Sequence, residues 1–481
     1  MSLAKRTSSG ILWNFFEQLA RKGIGIFVTL ILAYFLTPEA YGLVAMMAVF
    51  LALGSSIMQS GFNQALIRMP DVTQTDYNTA FFANIALGVF AYLLLFLTAP
   101  FIAGFYDEAQ LVLLIRIAAL SIIINAFQVV QQASLSRALN FKAQVKAVLP
   151  ASTISGIAAI GLAYLGWGVW ALVGQMLLAA LLQTVFLWIV QGWRPTRDFS
   201  IPTLKEMYGF GYKLFLSGVL DTIFQNLYVL VVAKLFSTTI AGLYYFAHQI
   251  KQLVIQQLVM SIQTVTYPAL SKLQNDDENL RRGYSRVISV STFLLFPAML
   301  FLAVMTEPLF AIFLPDKWFT AASYLQLMCI AAMIYPLNTI NLNILKVKGR
   351  SDLFLYLEII KKFVAVVIIL ISYRWGVYGL LIGQVVSSML AYLPNSYYSS
   401  KLIDYGVKEQ FRDYGAHLAL AVMISLLAVV VYHVFEIASF SMVFAVLPLM
   451  GFTYLFISFL FRKDDFLFLV RIFKKNKRTS S

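Results

Sequence analysis

The sequence predicts an all-α polytopic membrane protein of about fourteen transmembrane helices, built as two six-helix lobes plus two C-terminal helices. Three observations carry that expectation. The 481-residue chain is 60% hydrophobic and 12% charged, and its mean hydropathy of +0.79 excludes an ordinary soluble protein. Apolar runs of roughly twenty residues, the length that crosses a bilayer, recur from one end to the other between Gly, Pro and charge clusters. Those clusters alternate between a cation-rich class and a nearly neutral one.

The runs fall near residues 11–36, 41–67, 77–103, 111–136, 145–165, 168–191, 207–235, 239–267, 286–305, 320–345, 353–373, 376–398, 413–433 and 439–461. Twenty-six Lys and Arg residues lie in the N-terminal tail, the even-numbered connections and the C-terminal tail, against only Lys317 and Arg374 in the alternate connections. By the positive-inside rule both termini are expected in the cytoplasm. Met1–Ser9 is polar and is followed by no short apolar core with a cleavage site, so the start is expected to be mature and cytosolic. The longest outer loop runs roughly from Glu307 to Thr320 and leaves no room there for an enzyme domain. In a chain this apolar, the net charge of +14 marks a membrane face rather than a nucleic-acid surface. The single cysteine, Cys329, excludes an internal disulfide framework and thiolate metal clusters and reads as a packing residue.

Comparing the chain with itself at an offset of about 200 to 209 residues gives three matches in the same order. Trp167–Gln175 matches Trp375–Gln384, Phe101-Ile102-Ala103 matches Leu309-Phe310-Ala311, and Ala40–Leu43 matches Ile240–Leu243. Six spans is an even number, so the second half re-enters from the same side. The halves are then related by a pseudo-two-fold axis along the membrane normal, with a substrate cavity expected between lobes that rock against each other. The expected division is an N-lobe over 1–191, a basic linker over 192–206, a C-lobe over 207–400, helices 13 and 14 over 401–461, and a basic tail over 462–481.

Function is legible in the charges that the apolar runs retain. Eight cations, Arg21, Lys22, Arg116, Lys213, Lys234, Lys251, Lys361 and Lys362, lie inside them, against three acids, Glu17, Asp221 and Glu358. A charge at mid-bilayer costs about 2.5–3.5 kcal/mol on the mildest scale, so each should face protein, water or a ligand. The positive excess suggests an anionic substrate.

Placed on a helix, Asn14, Glu17, Gln18, Arg21 and Lys22 share one face of span 1, with Glu17 four residues before Arg21 in the order that favours an ion pair. An interfacial helix whose cations snorkel is the competing reading. On span 8, His248, Lys251, Gln252 and Gln256 share a face that carries no acid, and His248 is either a group that titrates near neutrality or a structural hydrogen-bonding residue. Asp221 on span 7 either binds a coupling cation or proton, or pairs with Lys251 or Arg21. Asn125, Gln128 and Gln132 form a stripe on span 4, and Asn338 and Asn341 follow Pro336 on span 10. Such amides either join helices or line a sugar path. Lys361 and Lys362 follow Glu358 at helical spacing and are left between pairing, snorkelling and a substrate role. Lys213 and Lys234 sit at span ends where snorkelling is expected, and Arg116 points away from the polar stripe of its helix.

No Walker motif, Gly-rich nucleotide turn, metal-ligand cluster or nucleophile–base pair is present in the sequence. No cofactor is expected, and coupling to a proton or sodium gradient or to the membrane potential stays open.

Several segments resemble a known family. Leu36–Ala48, Gly61-Phe62 with Asp71-Val72-Thr73, Gly168–Leu172, Tyr267–Ser271, Asn341–Leu345 and Gly349–Asp352 are similar to the bacterial oligosaccharide and polysaccharide flippases, the Wzx-type members of the multidrug and oligosaccharidyl-lipid exporter superfamily. The resemblance implies fourteen helices in two lobes, an alternating-access cycle, and export of undecaprenyl-pyrophosphate-linked oligosaccharide repeats across the membrane, with polysaccharide polymerase machinery as a partner. It also implies that cavity cations on helices 1 and 8, here Arg21, Lys22 and Lys251, suit the pyrophosphate. Span 2 departs from the pattern, offering Gln59, Asn63 and Gln64 but no cation before Arg68. A glycosyltransferase, polymerase or ligase acting on polyprenyl-linked sugars is the alternative from another class, and would be expected to carry a sizeable outer loop. A drug exporter of the same superfamily is the third, and would favour an acidic cavity.

Overall fold

A computed structural model describes residues 3–59, 61–271, 273–434 and 440–461, the side chains of 3–17, 19, 210, 213, 214, 256–269, 351, 433, 440–444 and 461 excepted. In hydrocarbon a backbone N–H or C=O is best satisfied within its own helix, so each apolar run becomes a rod. The first half contains α1 (Leu3–Phe35), α2 (Pro38–Gln59), α3 (Phe62–Arg68), α4 (Gln74–Tyr106), α5 (Leu111–Ala118), α6 (Leu120–Ala126), α7 (Val129–Arg137), α8 (Phe141–Tyr164) and α9 (Val169–Val190). The second contains α10 (Ile201–Gln225), α11 (Leu227–Leu235), α12 (Thr238–Ser271), α13 (Asp277–Phe313), α14 (Phe319–Met333), α15 (Tyr335–Val347), α16 (Ser351–Ser372), α17 (Gly376–Ile403), α18 (Val407–Val434) and α19 (Phe440–Phe461). Among the described residues there is no strand.

Several short helices are pieces of broken rods. Gly61, at φ 79°, separates α2 from α3, and a methyl there would come within 2.8 Å of the Gly211 Cα, so glycine is required on both counts. The rod Leu111–Arg137 bends by 40° before Val129, and the rod of α10 and α11 bends by 46° at Asn226. Among the described residues, seven rods are long and apolar enough to cross a membrane, and the two bent ones raise this to nine. Of the others, α16 carries Glu358, Lys361 and Lys362 close together, and the described apolar stretch of α19, Ala445–Leu460, is short.

The helices divide into two compact units, one built from residues up to Tyr245 and the other from Phe246 onward, so the division falls inside α12. In the first unit α1 packs on α8, α8 on α9, and α2 against α4, α10 and α11. A methyl on Gly156 would come 2.5 Å from Val28 Cγ2, which shows how closely α1 and α8 approach. The segment that joins α9 to α10 is bonded to the start of α4. Asn78 and Thr196 exchange two hydrogen bonds (2.6 and 3.0 Å), Gln74 accepts from the Trp193 indole (2.9 Å) and donates to the Arg194 carbonyl (2.8 Å), and Thr203 donates to Asp76 (3.1 Å). The α4 start is itself fixed by a reciprocal Thr73–Asp76 capping box.

Also in this unit, the first turns of α2 and α12 meet at two glycines exactly where the sequence repeats itself. A methyl on Gly42 would lie 1.9 Å from the Thr238 carbonyl oxygen, and one on Gly242 would lie 1.7 Å from the Pro38 carbonyl oxygen. Hydroxyl groups of Thr239 and Thr238 donate to Glu39 and Glu108, each at 2.5 Å, along the same seam.

In the second unit α13 is central, packing on α14, α18 and α19, while α17 packs on α14, α15 and α16. Phe293, Phe301, Met305, Ala421, Ile424, Ala428, Met450 and Tyr454 form an apolar core where α13, α18 and α19 meet.

Candidate functional site

The start of α12 within the second unit is anchored by Phe246, which is wholly buried with its ring 4.3 Å from that of Trp318 and 6.0 Å from that of Phe310. The next turn carries His248, Lys251 and Gln252, which the 3.6-residue period brings onto one face. Lys251 is 7% exposed. Its Nζ lies 3.3 Å from His248 Nδ1, and Gln252 Nε2 lies 3.4 Å from His248 Nε2. From α14 the buried thiol of Cys329 comes within electrostatic reach of Lys251. Among the described residues no carboxylate pairs with Lys251, in contrast to Lys234 and Lys361.

Lys361 pairs with Glu358 one turn back on α16, and Lys362 beside it is half-buried. Lys234 donates to the Phe105 carbonyl at 2.5 Å and lies 3.4 Å from Asp107, at the end of its rod. Arg116 donates to the Phe96 carbonyl at 3.3 Å and sits 4.1 Å above that ring. The side chain of Lys213 lies outside the described residues, as do those of Asn14, Glu17 and Gln256.

In the first unit Arg21 is exposed, and Lys22 and Gln18 are half-buried on α1. Asp221 is exposed on α10, next to Thr222, whose hydroxyl lies 3.1 Å from that of Ser56 on α2. Gln59 is exposed at the end of α2, and Asn63 on α3 keeps a buried Oδ1 with no hydrogen-bond partner among the described residues. The amides at the bend of the α5–α7 rod form a ladder: Gln132 donates to Gln128 (3.2 Å), which donates to Asn125 (2.5 Å). Among the described residues the Asn125 Nδ2 and Gln132 Oε1 ends have no side-chain partner, a chemistry that suits sugar hydroxyls.

The span-10 amides are arranged differently. Asn338 donates to the Ser388 carbonyl (3.2 Å) and accepts from Asn395 (3.0 Å). Asn341 is wholly buried. Its Oδ1 accepts from Tyr284 (2.8 Å), Ser399 (2.6 Å) and Gln410 (2.9 Å), while its Nδ2 donates to the Leu337 carbonyl (2.7 Å) and Gln410 Oε1 (3.0 Å). Of the two roles that the sequence leaves open for such an amide, this is the geometry of helix joining, across α13, α15, α17 and the first turn of α18. Asn341→Leu is expected to cost about 3 kcal/mol or more, because it strands three buried partners. A clear fall in the thermal midpoint of the purified protein checks it, and an unchanged midpoint would contradict the hub.

Sequence reasoning missed Tyr284, Ser399, Gln410 and the buried His417, whose Nε2 lies 3.2 Å from Ser289 Oγ. Gln410 and His417 were detectable only as polar residues entering an apolar run, a weak sign. Among the described residues no group of three or more His, Cys, Asp or Glu side chains is placed to hold a metal ion.

A family model described as polysaccharide biosynthesis protein matches residues 31–323. The chain is 23% identical over 400 residues to the lipopolysaccharide biosynthesis protein WzxC of Escherichia coli (strain K12), covering 82% of this chain and 81% of that protein. It is 24% identical over 337 residues to the succinoglycan biosynthesis transport protein ExoT of Rhizobium meliloti (strain 1021), covering 70% and 68%. Among solved structures, the lipid II flippase MurJ in its inward closed conformation aligns with a TM-score of 0.72 and 15% identity, over 95% of this chain and 99% of that one, a likeness of all-helical fold.

Proposed function

The chain belongs to the polysaccharide biosynthesis protein family, and from that premise we propose that it is a flippase moving an undecaprenyl-pyrophosphate-linked oligosaccharide repeat from the cytoplasmic to the periplasmic leaflet by alternating access. The observation that carries the reading is Lys251, a buried cation in a membrane helix with no carboxylate partner among the described residues. A cation kept at such a depth needs a counter-charge, and a phosphate-bearing substrate supplies one. Within the first unit, Arg21 and Lys22 on α1 carry positive charge, and the amides of Asn125 and Gln132 suit sugar hydroxyls. The printed name of ExoT, a transport protein of polysaccharide biosynthesis, supports transport over sugar transfer. The protein acts in the bacterial inner membrane with both termini in the cytoplasm, hands its cargo to polymerase machinery, and draws on a proton or sodium gradient or the membrane potential.

Deleting the gene and labelling the lipid-linked oligosaccharide with a membrane-impermeant reagent tests this. The expected result is complete repeats trapped on the cytoplasmic side. Truncated repeats would point to a sugar transferase and overturn the reading. As a second expected outcome, Arg21→Ala reduces surface polysaccharide at unchanged protein level, and normal polysaccharide removes Arg21 from the site.

A further inference from the structure

Arg374 stands against the charge pattern of the chain. The connections of its class hold one other cation, Lys317, while twenty-six Lys and Arg residues fall in the tails and the alternate connections. It is exposed in the 3-10 turn Tyr373–Trp375, which joins α16 to α17. Counting back from the matched tryptophans Trp167 and Trp375, the first-half copy of this turn has Gly166 in the place of Arg374 and Tyr164 in that of Ser372. Only the second copy carries the cation and the serine.

Beside the turn, a cavity of about 500 Å³ lies between α16 and α17, walled by Ile368, Ile371, Trp375, Ile382 and Val386. All of these but Ile368 are exposed, so the cavity opens to the surrounding bilayer. Its floor is narrow because the two helices close on each other. A methyl on Gly379 would come 2.3 Å from the Ser372 carbonyl oxygen, and one on Gly383 would come 2.7 Å from Ser372 Oγ. Ser372 itself lines the cavity and is 7% exposed, and its hydroxyl has no hydrogen-bond partner among the described residues. A hydroxyl held in apolar surroundings is costly until an acceptor meets it.

We propose that this cavity and Arg374 form an outer-leaflet docking site for a prenyl phosphate lipid, with the isoprenoid chain against Ile371 and Ile382 and the phosphate on the guanidinium. This rests on the flippase reading and its orientation, which put the turn on the outer side, and it gives the carrier a place to stand before it leaves. An exposed arginine offers paired hydrogen bonds to phosphate oxygens. Ser372 suits the oxygen that joins phosphate to chain, and Trp375 suits the boundary between hydrocarbon and water. A glycerophospholipid brings two chains side by side, which the close approach at Gly379 and Gly383 does not admit. A prenyl phosphate brings one chain directly beneath its phosphate.

The experiment uses full-length protein in phosphatidylglycerol nanodiscs and two photoreactive probes. One is geranylgeranyl diphosphate-linked N-acetylglucosamine with a diazirine on its last isoprene unit, and the other is phosphatidylglycerol with a diazirine at the end of one acyl chain. Mass spectrometry of the labelled peptides is expected to place the prenyl probe saturably between Ile368 and Val386, undisplaced by the phosphatidylglycerol of the disc. Arg374→Gln is expected to lower that labelling about threefold, as for an exposed charge contact, and Ile382→Trp, which fills the cavity from an exposed wall position, to lower it to background. Equal labelling by the two probes would mean ordinary bilayer lipid at this surface and overturns the site, as does labelling unchanged in both variants. Saturable prenyl labelling elsewhere in the protein, with none here, also overturns it and leaves the flippase reading standing. No saturable prenyl labelling anywhere would count against the flippase reading and the site together.

Discussion

Lys251→Met is expected to abolish export of lipid-linked oligosaccharide while leaving the folded protein at least as stable as the wild type. The two halves of that expectation have one cause. Truncating one partner of a buried ion pair destabilises a protein because a charge is left stranded, but Lys251 has no carboxylate partner among the described residues to strand. Methionine is similarly long, flexible and apolar, so it fills the same space beside His248 without the cost of a buried ammonium. What disappears is the attraction for an anionic headgroup. A charged hydrogen-bonded contact is worth about 2–5 kcal/mol when one side is removed, or roughly thirty-fold to a few thousand-fold in affinity at 1.4 kcal/mol per tenfold. Surface polysaccharide measured beside the thermal midpoint of purified protein separates the two halves. Normal export by the methionine variant would show that the substrate does not use this cation, whereas lost export with a lowered midpoint would assign Lys251 to folding.

Gly242→Ala is expected to force the first turns of α2 and α12 apart, and Gly42→Ala to do the same from the other side. The new methyl groups would lie 1.7 Å from the Pro38 carbonyl oxygen and 1.9 Å from the Thr238 carbonyl oxygen. Ordinary contact requires about twice that separation. Both obstacles are backbone atoms in the first turn of a helix, so neither can rotate aside as a side chain would. The cost is expected at the upper end of the range for overpacked sites, about 3 kcal/mol or more. Loss of the Thr239–Glu39 and Thr238–Glu108 bonds would follow. A thermal midpoint lowered by several degrees in each single variant is the expected reading. An unchanged midpoint in both would mean that these turns are not in contact in the membrane.

Much of the fold is legible in the sequence because a bilayer enforces a simple rule on it. Lengths near twenty residues and the spacing of basic clusters give rod boundaries close to those of α4, α8 and α9. The bend at Asn226 and the one before Val129 are not legible, because no proline marks either, and at the second the released carbonyls are satisfied by distant groups. Thr184 bonds the Ile124 carbonyl at 3.1 Å and Trp188 bonds that of Phe127 at 2.8 Å, both from a helix some sixty positions away. The same distance hides the Asn341 hub, whose partners Tyr284 and Gln410 lie 57 and 69 positions away. Lys251 is the opposite case. Its isolation from acids along its own helix is visible in the one-dimensional sequence, and the fold around it brings a histidine and a thiol close instead. The repeated Ala40–Leu43 and Ile240–Leu243 segments are also legible as a repeat, but only three dimensions show that the two copies touch each other.

The bonds tying Trp193, Arg194 and Thr196 to the start of α4, together with the packing of α10 and α11 against α2, bear on how the protein is made. The first unit is built almost wholly from residues up to Tyr245. A ribosome adding about 5–20 residues per second still has nearly half the chain to synthesise at that point. For some ten seconds or longer the nascent protein can therefore hold a nearly complete half at the translocon, with its α9–α10 connection already bonded to α4, while the half bearing Lys251 has yet to emerge.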